Sequence, residues 1–125
     1  MTDERMPTRI HTAMPTDTNP DGDVFGGWLM AQMDLAAGAV ASRRAAGRTV
    51  TIAVEGMQFL SPVFVGDEVQ IYADIVKEGR TSLTIKVCCY ARRGHTEERE
   101  KVTEGVFTFV KIGKDRRPKA LPEKA

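Results

Sequence analysis

The sequence has too few cysteine and histidine residues for a typical zinc site, because its 125 residues include only two of each. The cysteines, Cys88 and Cys89, are adjacent, and neighbouring residues of a strand point to opposite faces. A disulfide between them is therefore not expected. The chain also lacks an apolar run of about 20 residues, which a membrane-spanning helix requires. We expect neither a metal site nor a membrane span.

An excess of charge of one sign is also missing. The chain has 18 Lys and Arg against 17 Asp and Glu, and 6% of its residues are aromatic. Nucleic-acid binders need a cationic surplus and often aromatic stacking platforms, so a nucleic-acid-binding β-domain is disfavoured. No apolar run follows the first residues, so a secretory signal is not expected. Two unpaired thiols then favour the reducing cytoplasm.

The length leaves room for one domain. Hydrophobic residues make up 42% of the chain and charged residues 28%, which is typical of a globular protein and argues against disorder. We assign residues 8–122 to a single domain. Residues 1–7 and 123–125 are expected to be flexible ends.

Apolar residues at three- and four-residue spacing predict one long helix from about Gly26 to Arg44. The positions that carry this spacing are Leu29, Met33, Ala36 and Val40. Nearly every side chain between Trp28 and Ser42 is apolar, so we expect a helix buried on all sides. The basic residues at its end and the following Gly47 are typical of a helix C-terminus.

Beyond the helix the periodicity changes to two and predicts four long strands, preceded in the chain by a short strand at 8–14. The phase slips at Glu55-Gly56, which predicts a β-bulge in the first long strand. Consecutive alternating strands usually pair antiparallel, so a helix packed on such a sheet gives an α+β fold. Residues 92–101 are expected to form a charged loop.

The last strand is apolar on both sides. We expect one face to carry Val102, Val106, Val110 and Ile112. Phe107 and Phe109 are expected on the other face, because residues of a strand alternate between its two sides.

Asp34 is the most informative polar residue, since it lies in the middle of the apolar helix. Aspartate is a poor helix former and is almost never buried without a partner. A carboxylate in such a place can act as a general base. Two plainer interpretations stay open, in which Asp34 faces the edge of a cleft or pairs with an arginine.

Gly26-Gly27 stands at the start of the same helix. The first N–H groups of a helix have no intrahelical acceptor and carry the positive end of its dipole. They can polarise a carbonyl as an oxyanion hole does. Asp34 follows two turns later on roughly the same side. The alternative is an ordinary N-terminal junction in which the glycines have no chemical role.

The acidic loop before the helix does not predict a calcium site. Residues 17–22 mimic the first half of an EF-hand loop, but the twelfth position, which needs a bidentate glutamate, is Trp28. At the other end of the chain the basic residues of 111–125 can hold a phosphate. A solvated, charged end is the simpler interpretation of that segment.

Four segments together closely resemble the hotdog-fold acyl-CoA thioesterases, and among them the small bacterial YciA-like enzymes. The most specific is N-x-x-G-D-x-F-G-G-W-x-M-x-x-M-D over residues 19–34. The pattern V-E-G-M-x-F-x-x-P-x-x-x-G-D follows over 54–67, then G-R-T-S over 79–82 and R-P-x-x-L-P over 117–122. The resemblance covers about residues 10–122, although residues 93–99 match no motif of the family.

The resemblance implies a hotdog fold, in which an antiparallel sheet wraps around one long central helix. It also implies homodimers that share active sites at their interface and that often assemble as trimers of dimers. The implied reaction is hydrolysis of acyl-CoA to a free fatty acid and coenzyme A. No cofactor is expected, because coenzyme A is part of the substrate.

The resemblance also assigns roles to residues. Asp34 activates water or attacks the thioester, Asn19 of the partner subunit positions the reacting groups, and the N–H of Gly27 polarises the carbonyl. Phe25, Trp28 and nearby methionines are expected in the acyl tunnel or the core. The expected coenzyme A contacts are Ile52, Ala53, Val54, Thr81, Ser82 and Leu83, with Arg80, Arg117 and Lys119 as further candidates for its phosphates.

Two other functions use the same fold. A non-enzymatic acyl-CoA-binding or sensing protein is hardly distinguishable by sequence. A hotdog dehydratase or hydratase relies on a catalytic histidine near the helix, and residues 19–45 contain none. Dehydration is therefore the weaker of these alternatives.

Overall fold

The long apolar segment forms a helix that packs against a five-stranded sheet in a computed structural model, which describes residues 5–124. A short 3-10 turn, Pro15–Asp17, precedes the helix. In chain order the main elements are β1 (Arg9–Thr12), α1 (Gly26–Ala45), β2 (Thr49–Phe59), β3 (Glu68–Glu78), β4 (Ser82–Arg92) and β5 (Arg99–Lys111). Among the described residues, no helix has the length and hydropathy that a membrane span requires.

The sheet has the strand order β1-β3-β4-β5-β2, and every neighbouring pair is antiparallel. This arrangement confirms the predicted α+β class. The β-bulge predicted in β2 is also confirmed, because the pairing with β5 shifts between Glu55 and Gln58 and Gly56 has a φ of +61°. A second shift, between Thr51 and Ala53, was not predicted. As the last strand of the order, β2 has one unpaired edge.

The predicted burial of α1 holds on one side only. The side facing the sheet is buried and includes Met33, Ala37 and Ala41. On the opposite side Leu35 is 55% exposed, and Ala31 and Ala39 are also exposed. The expectation of a helix buried all round is therefore wrong for the single chain, since one sheet covers only one side of a helix.

The predicted division of β5 into two faces holds only in part, because Val102 lies in the core with Phe107 and Phe109 and not on the side of Val106 and Val110. Phe107 and Phe109 face the helix in the hydrophobic core, whereas Val106 and Val110 lie on the opposite face. Alternation alone did not show which face lies in the core, because both are apolar. In β4 only one face is apolar, and its predicted inward residues are all buried: Leu83, Ile85, Val87, Cys89 and Ala91.

The predicted charged loop is shorter than expected. Strands β4 and β5 run on to Arg92 and from Arg99, so only residues 93–98 connect them. Of the predicted flexible ends, residues 1–4 and 125 lie outside the described residues. Within the described part Arg5 pairs with Asp74 at 2.7 Å. Flexibility of the ends and the domain bounds 8–122 stay predictions.

The C-terminus of α1 departs from its expected glycine. Ala46, and not Gly47, adopts the left-handed conformation, with a φ of +50°. Its N–H donates to the carbonyl of Arg43, and the N–H of Gly47 donates to that of Ser42. A residue with a Cβ is strained in this conformation, and glycine is not.

We expect Ala46→Gly to raise the free energy of unfolding by about 0.5–1 kcal/mol, because it removes this strain. Urea unfolding at one fixed protein concentration measures the change. Ala45→Gly is the matched control, and it is expected to lower stability because Ala45 is buried in the last helical turn. A lower free energy of unfolding for both variants would contradict the strain assigned to Ala46.

Candidate active site

Asp34 lies where α1 meets the edge strand β2. Its half-buried carboxylate accepts a hydrogen bond from the hydroxyl of Thr51, with 2.6 Å between the two oxygens. Of the two plainer interpretations, pairing with an arginine is not observed among the described residues. Asp34 is thus a carboxylate with one neutral hydrogen-bond donor beside an open sheet edge.

Thr51 is a site residue that the sequence analysis missed. It belongs to a strand in which threonine alternates with apolar residues, as in many half-buried strands. Its relevance appears only when β2 lies against the helix. No local signal in the sequence pairs it with a residue 17 positions earlier.

The start of α1 presents unpaired backbone donors. The N–H groups of Trp28 and Leu29 donate to the carbonyl of Phe25, at 3.1 and 3.4 Å. Within the described residues, nothing accepts a hydrogen bond from the N–H of Gly26 or Gly27, and the side chain of Phe25 provides no cap. These N–H groups can therefore bind an oxygen that carries negative charge.

Gly26 allows a close approach to the start of the helix. A Cβ at this position would lie 2.9 Å from a ring carbon of Phe59, the last residue of β2. At Gly27 a Cβ would make only ordinary contact, at 3.4 Å from the ring of Phe25. Gly26 therefore has a steric reason to be glycine, and Phe59 covers the backbone there.

Gly27 and Asp34 lie seven residues apart along α1. Seven residues of α-helix rise about 10 Å and complete nearly two full turns. Gly27 and Asp34 thus lie on one side of α1, as predicted.

An open apolar pocket of about 430 Å³ adjoins the start of the helix. One wall consists of residues 59–63, and the other side comes from Val24, Gly26 and Leu29. Of the residues expected in an acyl tunnel or the core, Trp28 belongs to the core, where it contacts the ring of His11 edge-on. Phe25 is exposed and does not line this pocket.

Asn19 is built into the loop before the helix. Its side-chain oxygen accepts hydrogen bonds from the N–H groups of Asp21 and Asp23, at 3.0 and 3.1 Å. Within the described chain, its amide nitrogen has no hydrogen-bond partner, and Asn19 does not bond to Asp34. The structure therefore does not unite these two predicted site residues within one chain.

Two of the segments expected to contact coenzyme A lie side by side across β5, at the same position along the sheet. The first, residues 52–54, is in β2, and the second, residues 81–83, opens β4. Both strands pair with β5, where Phe109 lies opposite Thr51 on one side and Leu83 on the other. The segments are therefore two strand spacings apart, or about 10 Å.

The C-terminal segment brings predicted phosphate contacts to the same end of the sheet. The N–H of Leu121 donates to the carbonyl of Arg80, and that of Lys119 to the carbonyl of Lys111, both at 2.9 Å. Lys111 in turn donates to the carbonyl of Thr81. All three predicted residues are exposed: Arg80, Arg117 and Lys119.

The two thiols differ in environment. Cys89 is buried in the core and Cys88 is half-buried on the other face of β4, and neither forms a disulfide. Burial raises the pKa of both thiols. Among residues 5–124, no three His, Cys, Asp or Glu side chains are arranged to hold a metal ion. A metal-free site stays a prediction.

Comparison with known proteins connects this geometry to a family. The sequence profile of the Thioesterase superfamily matches residues 21–98. The chain is 52% identical over 110 residues to an uncharacterized acyl-CoA thioester hydrolase of Zymomonas mobilis, covering 88% of this chain and 74% of the relative. It is 48% identical over 113 residues to the acyl-CoA thioester hydrolase YciA of Salmonella typhimurium, covering 88% and 85%.

The fold is similar to that of a solved enzyme. The crystal structure of a hexameric broad-specificity acyl-coenzyme A thioesterase superimposes with a TM-score of 0.91 at 41% identity. The match covers 99% of this chain and 86% of that one. The architecture described above is thus that of a solved thioesterase.

We expect Thr51→Val to lower kcat for acyl-CoA hydrolysis by about 10-fold with little change in KM, because it removes a hydrogen bond to a carboxylate without changing the side chain's size. Coenzyme A release measures the rate. Thr49→Val in the same strand is the matched control and should leave kcat unchanged. Equal effects of the two substitutions would exclude a special role for Thr51.

Proposed function

Because the chain belongs to the thioesterase superfamily, we propose that it is an acyl-CoA thioester hydrolase that converts acyl-CoA and water to a free fatty acid and coenzyme A. The observation that carries this proposal is the Asp34 carboxylate, held by Thr51 two turns from the unpaired N–H groups of the helix. The relatives are hydrolases, so the non-enzymatic acyl-CoA-binding alternative is not favoured.

In the proposed reaction Asp34 acts as a general base. It takes a proton from water as the water oxygen bonds to the thioester carbon. The carbonyl oxygen becomes negatively charged and accepts a hydrogen bond from the N–H of Gly27. When this intermediate collapses, the C–S bond breaks and the departing sulfur takes the proton from Asp34.

The apolar pocket suits the acyl chain, because its walls are mainly hydrophobic and it opens beside Gly26. Phe59 covers the backbone at this point and is 53% exposed. We propose that coenzyme A binds the two segments that lie side by side across β5, residues 52–54 and 81–83. The exposed cations beside them suit its phosphates: Arg80, Arg117 and Lys119.

We expect Asp34→Asn to lower kcat at least about 100-fold while the protein stays folded, because the amide cannot accept a proton. The assay is coenzyme A release, detected with a thiol reagent, from short, medium and long acyl-CoAs. Asp74→Asn is the control, since Asp74 pairs with Arg5 at the surface. Near-parent activity of the Asp34 variant would refute the assignment. Binding without coenzyme A release by the parent would favour the sensing alternative.

We further propose that the functional unit is a homodimer with shared active sites, assembled as a trimer of dimers. Strand β2 has an unpaired edge and exposes apolar side chains, of which Ile52 is 59% exposed. Leu35 on the helix is exposed as well. Such an edge is a template for pairing with another chain. The similar solved thioesterase is hexameric, which supports this assembly.

A shared site explains the position of Asn19. Its oxygen is engaged within its own loop, and its amide nitrogen points to no partner within the described residues. We propose that this amide serves the active site of the partner subunit. The variant Asn19→Asp keeps the oxygen acceptors for the loop and replaces only the amide donor, so it separates the two roles.

Co-expression of Asn19→Asp and Asp34→Asn chains tests the shared site. Each mixed dimer would contain one intact site and one doubly altered site, so random pairing should restore about a quarter of the wild-type activity. Each variant expressed alone is the control. Absence of restored activity in mixed assemblies, isolated by two different affinity tags, would place both residues in the site of one chain.

The proposed reaction needs no cofactor, because coenzyme A enters as part of the substrate and leaves as a product. We also propose a cytoplasmic location. Both cysteines are unpaired thiols, and unpaired thiols are typical of proteins in a reducing compartment.

A further inference from the structure

The wall of the apolar pocket belongs to an irregular segment, residues 60–67, which connects β2 to β3. At its start the N–H groups of Leu60 and Ser61 donate to the carbonyl of Val102, at 2.8 and 3.3 Å. Beyond Ser61 the pocket wall is not part of any strand. At the far end of the segment Gly66 and Asp67 exchange backbone hydrogen bonds with Ala13, at 2.8 and 2.9 Å, and side-chain contacts hold the residues between.

Arg93 supplies those contacts from the loop between β4 and β5. Its Nη2 donates to the carbonyl of Pro62 at 2.6 Å, and its Nε donates to the carboxylate of Asp67 at 2.9 Å. Asp67 is only 4% exposed and also accepts the N–H of Phe64. The guanidinium lies over the ring of Phe64, 4.9 Å from its centre. One side chain thus contacts Pro62, Phe64 and Asp67 of the segment.

Glu100 holds the guanidinium of Arg93 in place. Its carboxylate accepts a hydrogen bond from Nη1 of Arg93 at 2.6 Å. Hydrogen bonds from Ser61 and then from Arg93 hold the pKa of Glu100 below its ordinary value. Ser61 and Pro62 both line the pocket. Arg93 from the loop and Glu100 from β5 therefore fix two adjacent residues of the pocket wall.

We infer that Arg93 is a positioning residue that sets the acyl-chain preference of the enzyme by fixing residues 61–63 against the pocket. The inference rests on the proposed function, in which this pocket receives the acyl chain. Arg93 touches no reacting group. It acts through Pro62 and Asp67, so its effect depends on how far a chain reaches into the pocket.

The test is kcat and KM for acetyl-CoA and for medium and long acyl-CoAs. We expect Arg93→Ala to raise KM for the longer chains about 10-fold, because the wall loses its hydrogen bonds to a charged group. Turnover of acetyl-CoA should stay within about two-fold of the parent, since an acetyl group is too short to contact the wall. A purely structural defect would change all substrates alike.

Arg92→Ala is the matched control. Arg92 is the neighbouring residue and also makes a two-point ion pair, but with Glu68 in β3, and none of its hydrogen bonds goes to residues 60–67. Its removal should leave the ratio of long-chain to short-chain kcat/KM at the parent value. Because Arg93→Ala leaves a buried carboxylate unpaired, two milder variants, Arg93→Lys and Glu100→Gln, are measured with it. Both should shift the ratio in the same direction and by less.

An unchanged ratio in Arg93→Lys, Glu100→Gln and every folded Arg93 variant would overturn the inference while leaving the proposed hydrolysis intact. Failure of the parent protein to release coenzyme A from any acyl-CoA would instead remove the proposed function, and the inference with it. Coenzyme A release by the parent enzyme therefore distinguishes failure of the inference from failure of the proposed function.

Discussion

A carboxylate in the middle of an apolar helix needs a polar partner, and that requirement governs the arrangement of this molecule. Asp34 meets it through the hydroxyl of Thr51, which lies on the last strand of the sheet and not in its interior. The polar group therefore sits at a boundary where one side is packed protein and the other is open. A site at such a boundary can admit a substrate while its carboxylate stays held by a neutral donor.

Much of the fold was predictable because the relevant signals are local. The apolar spacing of α1 gave its end to within one residue, and the phase slip at Glu55-Gly56 marked a real bulge with a left-handed glycine. The antiparallel sheet around one helix agrees with the predicted hotdog fold. In β5 alternation separated Phe107 and Phe109 from Val106 and Val110, but it misplaced Val102, which is buried where the pairing with β4 shifts. The predicted burial of α1 on all sides was wrong, because the apolar residues of a sequence do not show whether their cover comes from the same chain.

The candidate site also has residues that could be predicted from the sequence and residues that could not. Asp34 and Gly27 were proposed as site residues from sequence, because a helix relates residues seven apart by simple geometry. Thr51 and Arg93 were not, because their contacts join distant segments and depend on strand register. A slip of one residue would turn Thr51 to the other face of β2, and the unpredicted irregularity after Thr51 lies at this very point. Side chains that contact a site from a distant segment are thus the hardest to predict from a sequence.

Assembly and chemistry depend on the same surfaces. The exposed apolar side of α1, the free edge of β2 and the half-buried carboxylate lie beside one another. In the single chain, water reaches this region and weakens every electrostatic interaction within it. A second chain that pairs with the edge would exclude that water, and the carboxylate and helix N–H groups would then act more strongly on the substrate. In the proposed homodimer, the surfaces that the isolated chain leaves exposed would thus be those that enclose the active site.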